Sequence, residues 1–220
     1  MDLLAQAVCQ IARIMLTFFR TSIVAAGLMI AAPVVVFADP TPTVRDIGWD
    51  QVKPEFEKQV LSAKQNMMGA PDQALEFAKQ AETSLIGVPD SADKQGALAT
   101  ALWLQAEAAN RTAHPELALP IVDRALAIAR QLDGNETLKG DLELAAGRIG
   151  RAQGMAQRAL EHFLAAHEIF VGTSNARKQA IALQEVGNVY YSARDFDQAL
   201  KYFDRAINAY GDDPSFLMVN

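Results

Sequence analysis

Leu183-Gln-Glu-Val186-Gly187-Asn-Val-Tyr190 and, eight residues later, Ala199-Leu-Lys-Tyr-Phe203-Asp-Arg-Ala206 form the stretch from which the fold can be read. Ala199, Phe203 and Ala206 stand at offsets 0, 4 and 7 and so share one face of a helix. The alanines let a second helix come close, and the phenylalanine fills the space between them. The same phrase recurs upstream in Asp72–Ala81, Glu116–Ala125 and Gln157–Ala166. Its first alanines are Ala74, Ala118, Ala159 and Ala199, which gives periods of 44, 41 and 40 residues. Gly147 precedes Ala159 by the same interval as Gly187 precedes Ala199. A period of this size, with two helical stretches in each, marks a stacked helical repeat.

Breakers fall between the stretches: Gly69-Ala-Pro71, Gly87-Val-Pro89, His114-Pro115, Asp133-Gly134-Asn135, Gly172-Thr-Ser174 and Gly211-Asp-Asp-Pro214. They divide the chain into expected helices at 51–68, 72–86, 92–111, 115–132, 136–153, 156–171, 174–193 and 196–210. The motif residues Ala74, Leu75, Ala118, Leu119, Ala159, Leu160, Phe163, Ala199, Leu200, Phe203 and Ala206 are expected in the core.

Composition agrees with such a fold and excludes several functions. The 220 residues carry 20 basic and 26 acidic side chains, for a net charge of -6, whereas a nucleic-acid binder needs a basic face. A single cysteine, Cys9, permits neither an intrachain disulfide nor a thiolate metal site. Residues 21–38 are apolar and uncharged, follow Arg13 and Arg20, and end Val36-Phe37-Ala38 before Asp39-Pro40. This is the pattern of a secretory signal cleaved after Ala38, with an uncleaved anchor helix as the alternative. Met15 is a more compact start than Met1. Cys9 has no lipobox around it. The organisation expected is therefore a signal peptide over 1–38, a linker over 39–50, repeats over 51–213 and the start of a further unit over 214–220. Export without cysteines fits a bacterial periplasm.

The pattern Leu183-x2-Val186-Gly187-x2-Tyr190-x8-Ala199-x3-Phe203-x2-Ala206 resembles the tetratricopeptide repeat. Unit two has Ala106 where the family has glycine, and unit three has Gly150 where it has tyrosine. The resemblance implies an all-α, right-handed superhelical solenoid of about four helix pairs. Such a domain binds a protein or peptide along the concave face of its first helices. On that geometry the inward positions are Thr100, Trp103, Glu107 and Asn110, with Arg111 beside them, then Asp141, Leu144, Arg148 and Arg151, then Ile181, Gln184, Asn188 and Tyr191. Trp103, Glu107, Asn110, Arg111, Arg148, Arg151, Gln184, Asn188 and Tyr191 are the candidate ligand contacts, since Trp, Tyr and Arg dominate binding hot spots. The alternative is that Trp103 packs on the neighbouring repeat and Arg148 pairs with a glutamate.

No catalytic motif stands out. His162 and His167 are five apart and fall on different helical faces, unlike an i,i+4 metal pair, and a surface or groove role is expected for the histidines. There is no phosphate loop and no nucleophile elbow. The sequence implies no cofactor, no metal and no nucleic acid. Membrane contact is expected only through the signal or anchor segment, or through a downstream transmembrane helix.

Ala101-Leu-Trp-Leu-Gln-Ala-Glu-Ala108 and Ala182-Leu-Gln-Glu-Val-Gly-Asn-Val-Tyr190 are similar to the N-terminal periplasmic sensory part of bacterial repeat-containing diguanylate cyclases. That resemblance implies a signalling output beyond Asn220. The alternatives are a histidine-kinase sensor or a stand-alone scaffold for envelope assembly. Asp213-Pro214 reads as the start of a ninth helix. Phe216, Leu217, Met218 and Val219 are too apolar for the polar cap that closes a repeat array, so the chain is expected to be part of a longer protein.

Overall fold

The structure is a computed structural model that describes residues 47–112 and 115–211. The signal segment, Cys9, most of the linker, His114 and the ninth-helix start at Pro214 lie outside the described residues.

Eight α-helices and no strand occur among the described residues: α1 (Trp49–Asn66), α2 (Pro71–Ser84), α3 (Ala92–Arg111), α4 (Ala118–Ala129), α5 (Glu136–Ala152), α6 (Ala156–Gly172), α7 (Ala176–Ser192) and α8 (Phe196–Tyr210). Each packs on the helix before it and the helix after it. The first helices of successive pairs also touch, α1 on α3, α3 on α5 and α5 on α7.

The helix boundaries fall within three residues of the sequence reading, and two of the differences have a clear cause. The first helix begins at Trp49, inside the expected linker, where Trp49 meets Phe56 edge-on at 5.6 Å. The fourth opens as a 3-10 turn over Pro115–Leu117 and is α-helical only from Ala118 to Ala129. Pro120 has no N–H to donate and so stands in the first turn of α4, where that N–H would have no partner within the helix.

Apolar burial is divided into local clusters rather than one centre. One joins Leu102, Val122 and Leu142 of α3, α4 and α5; another joins Phe163, Phe170 and Val186 of α6 and α7, with Leu144 of α5. Phe56, Leu85 and Ala101 form a third across α1 to α3. Such nearest-neighbour burial is what a repeat array produces.

The motif glycines set the spacing within pairs. A Cβ on Gly147 would lie 2.4 Å from Cε1 of Phe163, and one on Gly187 2.5 Å from Cε1 of Phe203. A third insertion, which the motif did not reveal, puts Phe170 against Gly140, where an added Cβ would lie 2.4 Å from Cε1 of the ring. Phenylalanine rings therefore occupy the volume that any larger residue on the facing helix would fill.

Leu200 departs from its expected core place. It is 61% exposed, whereas its counterpart Leu160 is half-buried against α7. Among the described residues no helix follows α8 to cover Leu200. Phe203 is likewise only half-buried.

The connections repeat as well. Gly134, Gly154, Ser174 and Arg194 all have positive φ, at 79°, 75°, 55° and 63°, and are spaced 20 residues apart. At the last three the residue after the turn donates its N–H five positions back: Met155 to Gly150, Asn175 to Phe170 and Asp195 to Tyr190, at 2.8–3.1 Å. Turns within and between pairs are thus built alike.

Gly147→Ala should destabilise by about 1–2 kcal/mol in urea unfolding, since overpacking outweighs the gain in helix propensity. Gly96→Ala, whose Cβ would meet nothing nearer than 3.8 Å, should be neutral or stabilising. Equal effects at the two sites would contradict the insertion. Arg194→Gly should raise stability by about 0.5–1 kcal/mol, because a non-glycine residue is strained at φ 63°. A loss of thermal stability would contradict that turn geometry.

Candidate ligand groove

The expected contact residues lie on α3, α5 and α7, and the structure shows which are held within the fold. Glu107 of α3 is only 6% exposed. Arg148 of α5 donates from Nη1 to Glu107 Oε1 at 3.1 Å and from Nε to Glu185 Oε1 of α7 at 2.8 Å. Burial works against the Arg148 charge, but the two carboxylates outweigh it and raise its pKa above the ordinary arginine value. Arg151 reaches Glu185 Oε2 at 3.5 Å, and Asn188 donates to the same oxygen at 3.3 Å. Arg111 lies 3.8 Å from Glu107 Oε2. Glu107, Arg111, Arg148, Arg151 and Asn188 therefore form one ladder across three repeats.

Glu185 links this ladder together and was not among the expected contacts. Its sequence signal is weak, since a glutamate on a solvated helix is ordinary. Only the packing of α7 beside α5 brings it to two arginines. The alternative that Arg148 pairs internally is the one observed, with two glutamates.

A second set of contacts joins neighbouring first helices. Lys178 Nζ of α7 lies 2.6 Å from both carboxylate oxygens of Asp141 on α5. Lys64 Nζ of α1 sits 5.6 Å from the Trp103 ring centroid. Trp103 is half-buried against two core clusters, so it packs on its neighbours and also faces the groove. Its Nε1 and the Oδ1 of Asn110 are shielded from solvent and have no partner within the fold.

The other expected contacts divide. Gln184 is exposed on α7 and open to a ligand. Tyr191, near the end of α7, is 61% exposed and lies edge-on to Phe196 at 5.6 Å. Leu144 is 4% exposed and belongs to the core beside α6 and α7, which corrects its inward assignment. Ile181 is also packed on that cluster.

Two adjoining open cavities lie on this face. One, of about 440 Å³, is bordered by Lys64, Thr100, Trp103 and Asp141. The other, of about 460 Å³, is bordered by Trp49, Phe56, Thr100, Asp133 and Leu138.

The two described histidines are not simple surface groups. His162 Nδ1 meets Glu143 Oε2 at 2.6 Å, and Arg130 donates to the other Glu143 oxygen at 3.1 Å. Burial raises the Glu143 pKa, but His162 and Arg130 outweigh it and leave the carboxyl below its usual range. Burial, aided by the charge of Arg205, pushes His167 below the ordinary histidine value. Among the described residues no group of His, Cys, Asp and Glu could hold a metal ion. No described helix is long and apolar enough to cross a membrane.

Residues 141–212 match the family model of the tetratricopeptide repeat. That match runs from Asp141 within α5 to the end of α8 and includes Gly147 and Gly187. The chain is also similar in fold to aspartyl phosphate phosphatase F from Bacillus subtilis, at 17% identity and TM-score 0.61, over 76% of this chain and 42% of that one. It is similar to the apo form of RapI at 16% identity and TM-score 0.56, over 71% and 43% of the two chains. It thus spans about two fifths of the length of these structures. No curated protein matches the sequence. The fold is all-helical among the described residues, and the tetratricopeptide match is confined to residues 141–212.

Glu185→Ala should cost about 1–2 kcal/mol in urea unfolding, since it strips a half-buried arginine of a partner. Arg111→Ala should change stability by less than about 0.5 kcal/mol, as for other loose surface pairs. Equal costs would contradict the ladder. Stability should also fall with acid. His167 binds its proton more weakly folded than unfolded, so its contribution is present above pH 6.5 and lost as the pH falls below that value. Glu143 adds a second loss as the pH drops through its lowered value, below 4.5. His167→Leu should flatten the first of these losses in thermal melts, and an unchanged pH profile would contradict its burial.

Proposed function

We propose that α1–α8 form a right-handed superhelical solenoid whose concave face binds an extended peptide or protein segment and carries out no chemistry on it. The observation that carries this reading is the continuous face of α1, α3, α5 and α7, with its two cavities, exposed Gln184 and the shielded, partnerless Trp103 Nε1 and Asn110 Oδ1. Buried polar atoms without partners cost stability, which a ligand's own donors and acceptors can offset.

In this proposal the domain acts outside the cytoplasm. The apolar run over 21–38 and the Val36-Phe37-Ala38 ending support export to a periplasm with cleavage before Asp39. The resemblance of residues 101–108 and 182–190 to sensory regions of diguanylate cyclases supports a role as the sensing part of a longer signalling protein, with the cyclase or a histidine kinase as output. A second reading, a stand-alone assembly scaffold, is favoured by the exposed apolar residues Phe196, Leu200 and Ile207 on α8, which offer a docking surface to another chain.

A photocrosslinking amino acid placed at Gln184 in producing cells should capture a peptide or protein, whereas one at Glu161 on α6 should not. Equal capture at both, or none at Gln184, would contradict the groove. The N-terminus of the exported form should be Asp39; recovery of the chain in the cytoplasm with residues 21–38 intact would contradict export.

A further inference from the structure

Two adjoining cavities on the concave face present the same two chemical elements, an indole and carboxylates, in different states of occupancy. In the cavity at Trp103 both are taken by the chain's own lysines: Lys64 Nζ sits 5.6 Å from the ring centroid, and Lys178 holds Asp141 at 2.6 Å. In the cavity at Trp49 they are free. Phe56, 6% exposed, meets the Trp49 ring edge-on at 5.6 Å and fixes it as a wall. Asp93 and Asp133 stand exposed at the border, and neither is ion-paired within the described residues. Lys53 also lines this cavity, but its Nζ lies 4.0 Å from Glu57 on its own helix and pairs with neither aspartate. The amino ends of α3 and α5 add partial positive charge, which the first-turn acids Asp93 and Glu136 offset. Asp133, outside both helices, is left in excess, and a chain of net charge -6 draws cations at long range.

Resting on the reading of this face as a peptide groove, we propose that the cavity bounded by Trp49, Phe56, Asp93 and Asp133 takes a cationic side chain, an arginine or lysine of the bound peptide. The cation packs on the Trp49 ring and pairs with the two aspartates, as Lys64 packs on Trp103 and Lys178 pairs with Asp141. The volume of about 460 Å³ accommodates a guanidinium and its stem. A ligand side chain seated there extends the row of cations that the chain itself begins.

The chain has two tryptophans, so Trp103→Phe leaves Trp49 as the sole reporter. In that background, acetyl-(Ala-Arg)4-amide should quench Trp49 fluorescence saturably at low salt, and acetyl-(Ala-Glu)4-amide should not. Asp93→Asn with Asp133→Asn should weaken the arginine peptide about tenfold or more. Asp197→Asn with Asp204→Asn on α8, which removes the same charge elsewhere, should leave binding unchanged. Binding of the acidic peptide as tight as the basic one, survival of arginine-peptide binding in the Asp93/Asp133 variant, or equal weakening by the α8 variant overturns the assignment. So does the lack of any response to either peptide. None of these results touches the groove reading itself, which the crosslink at Gln184 decides.

Discussion

Insertion of an aromatic ring over a glycine on the facing helix is the contact from which the rest of this structure follows. In the pair α5/α6 it occurs at two levels, Gly147 under Phe163 and Gly140 under Phe170, seven residues apart on each helix. Antiparallel helices keep such levels in step, so one ring fixes the register and the second fixes the angle. The next pair keeps one insertion, Gly187 under Phe203, and replaces the other by Ala180 and Tyr210, which are 2% and 9% exposed. In α3/α4 the corresponding positions hold Ala106 and Val122, then Ala99 and Ala129, all buried. The corresponding positions thus differ in side-chain volume from pair to pair, yet all of those named in α3/α4 are buried.

From that spacing comes the groove. Turns at positions 134, 154, 174 and 194 return the chain every 20 residues, so the first helices of the pairs stand side by side. Side chains that would be solvated on an isolated helix then meet across repeats. The Glu107–Arg148–Glu185 ladder ties three repeats together on this face, and Glu143, His162 and Arg130 tie α4, α5 and α6. Because so many charges are used internally, the proposed binding surface is smaller than the roll of polar residues suggests. On that proposal it is concentrated at the two cavities and at Gln184.

The helices were legible because their punctuation is local. Glycines and prolines at the joints and the 0, 4, 7 spacing placed all eight, with errors of a few residues at Trp49 and Pro120 where a tertiary contact and a missing N–H decide. Inter-repeat partners were not legible. Arg148 reads as a free groove cation until α7 brings Glu185 to it, and Leu144 reads as inward until α6 and α7 close over it. Leu200 carries the same motif as Leu160, yet only one has a described helix beyond it. Local sequence specifies a face; what covers that face depends on the neighbour.

The central claim, that phenylalanine rings lie directly on the motif glycines, can be read from proton chemical shifts. A ring packed as closely as found for Gly140, Gly147 and Gly187 must shift their Hα resonances away from ordinary glycine values and give cross-peaks to Phe170, Phe163 and Phe203. Gly96, which has no ring within 4 Å, serves as the internal reference. The account predicts three shifted glycines and one ordinary one. Ordinary shifts at Gly147 and Gly187, without cross-peaks to the rings, would contradict it.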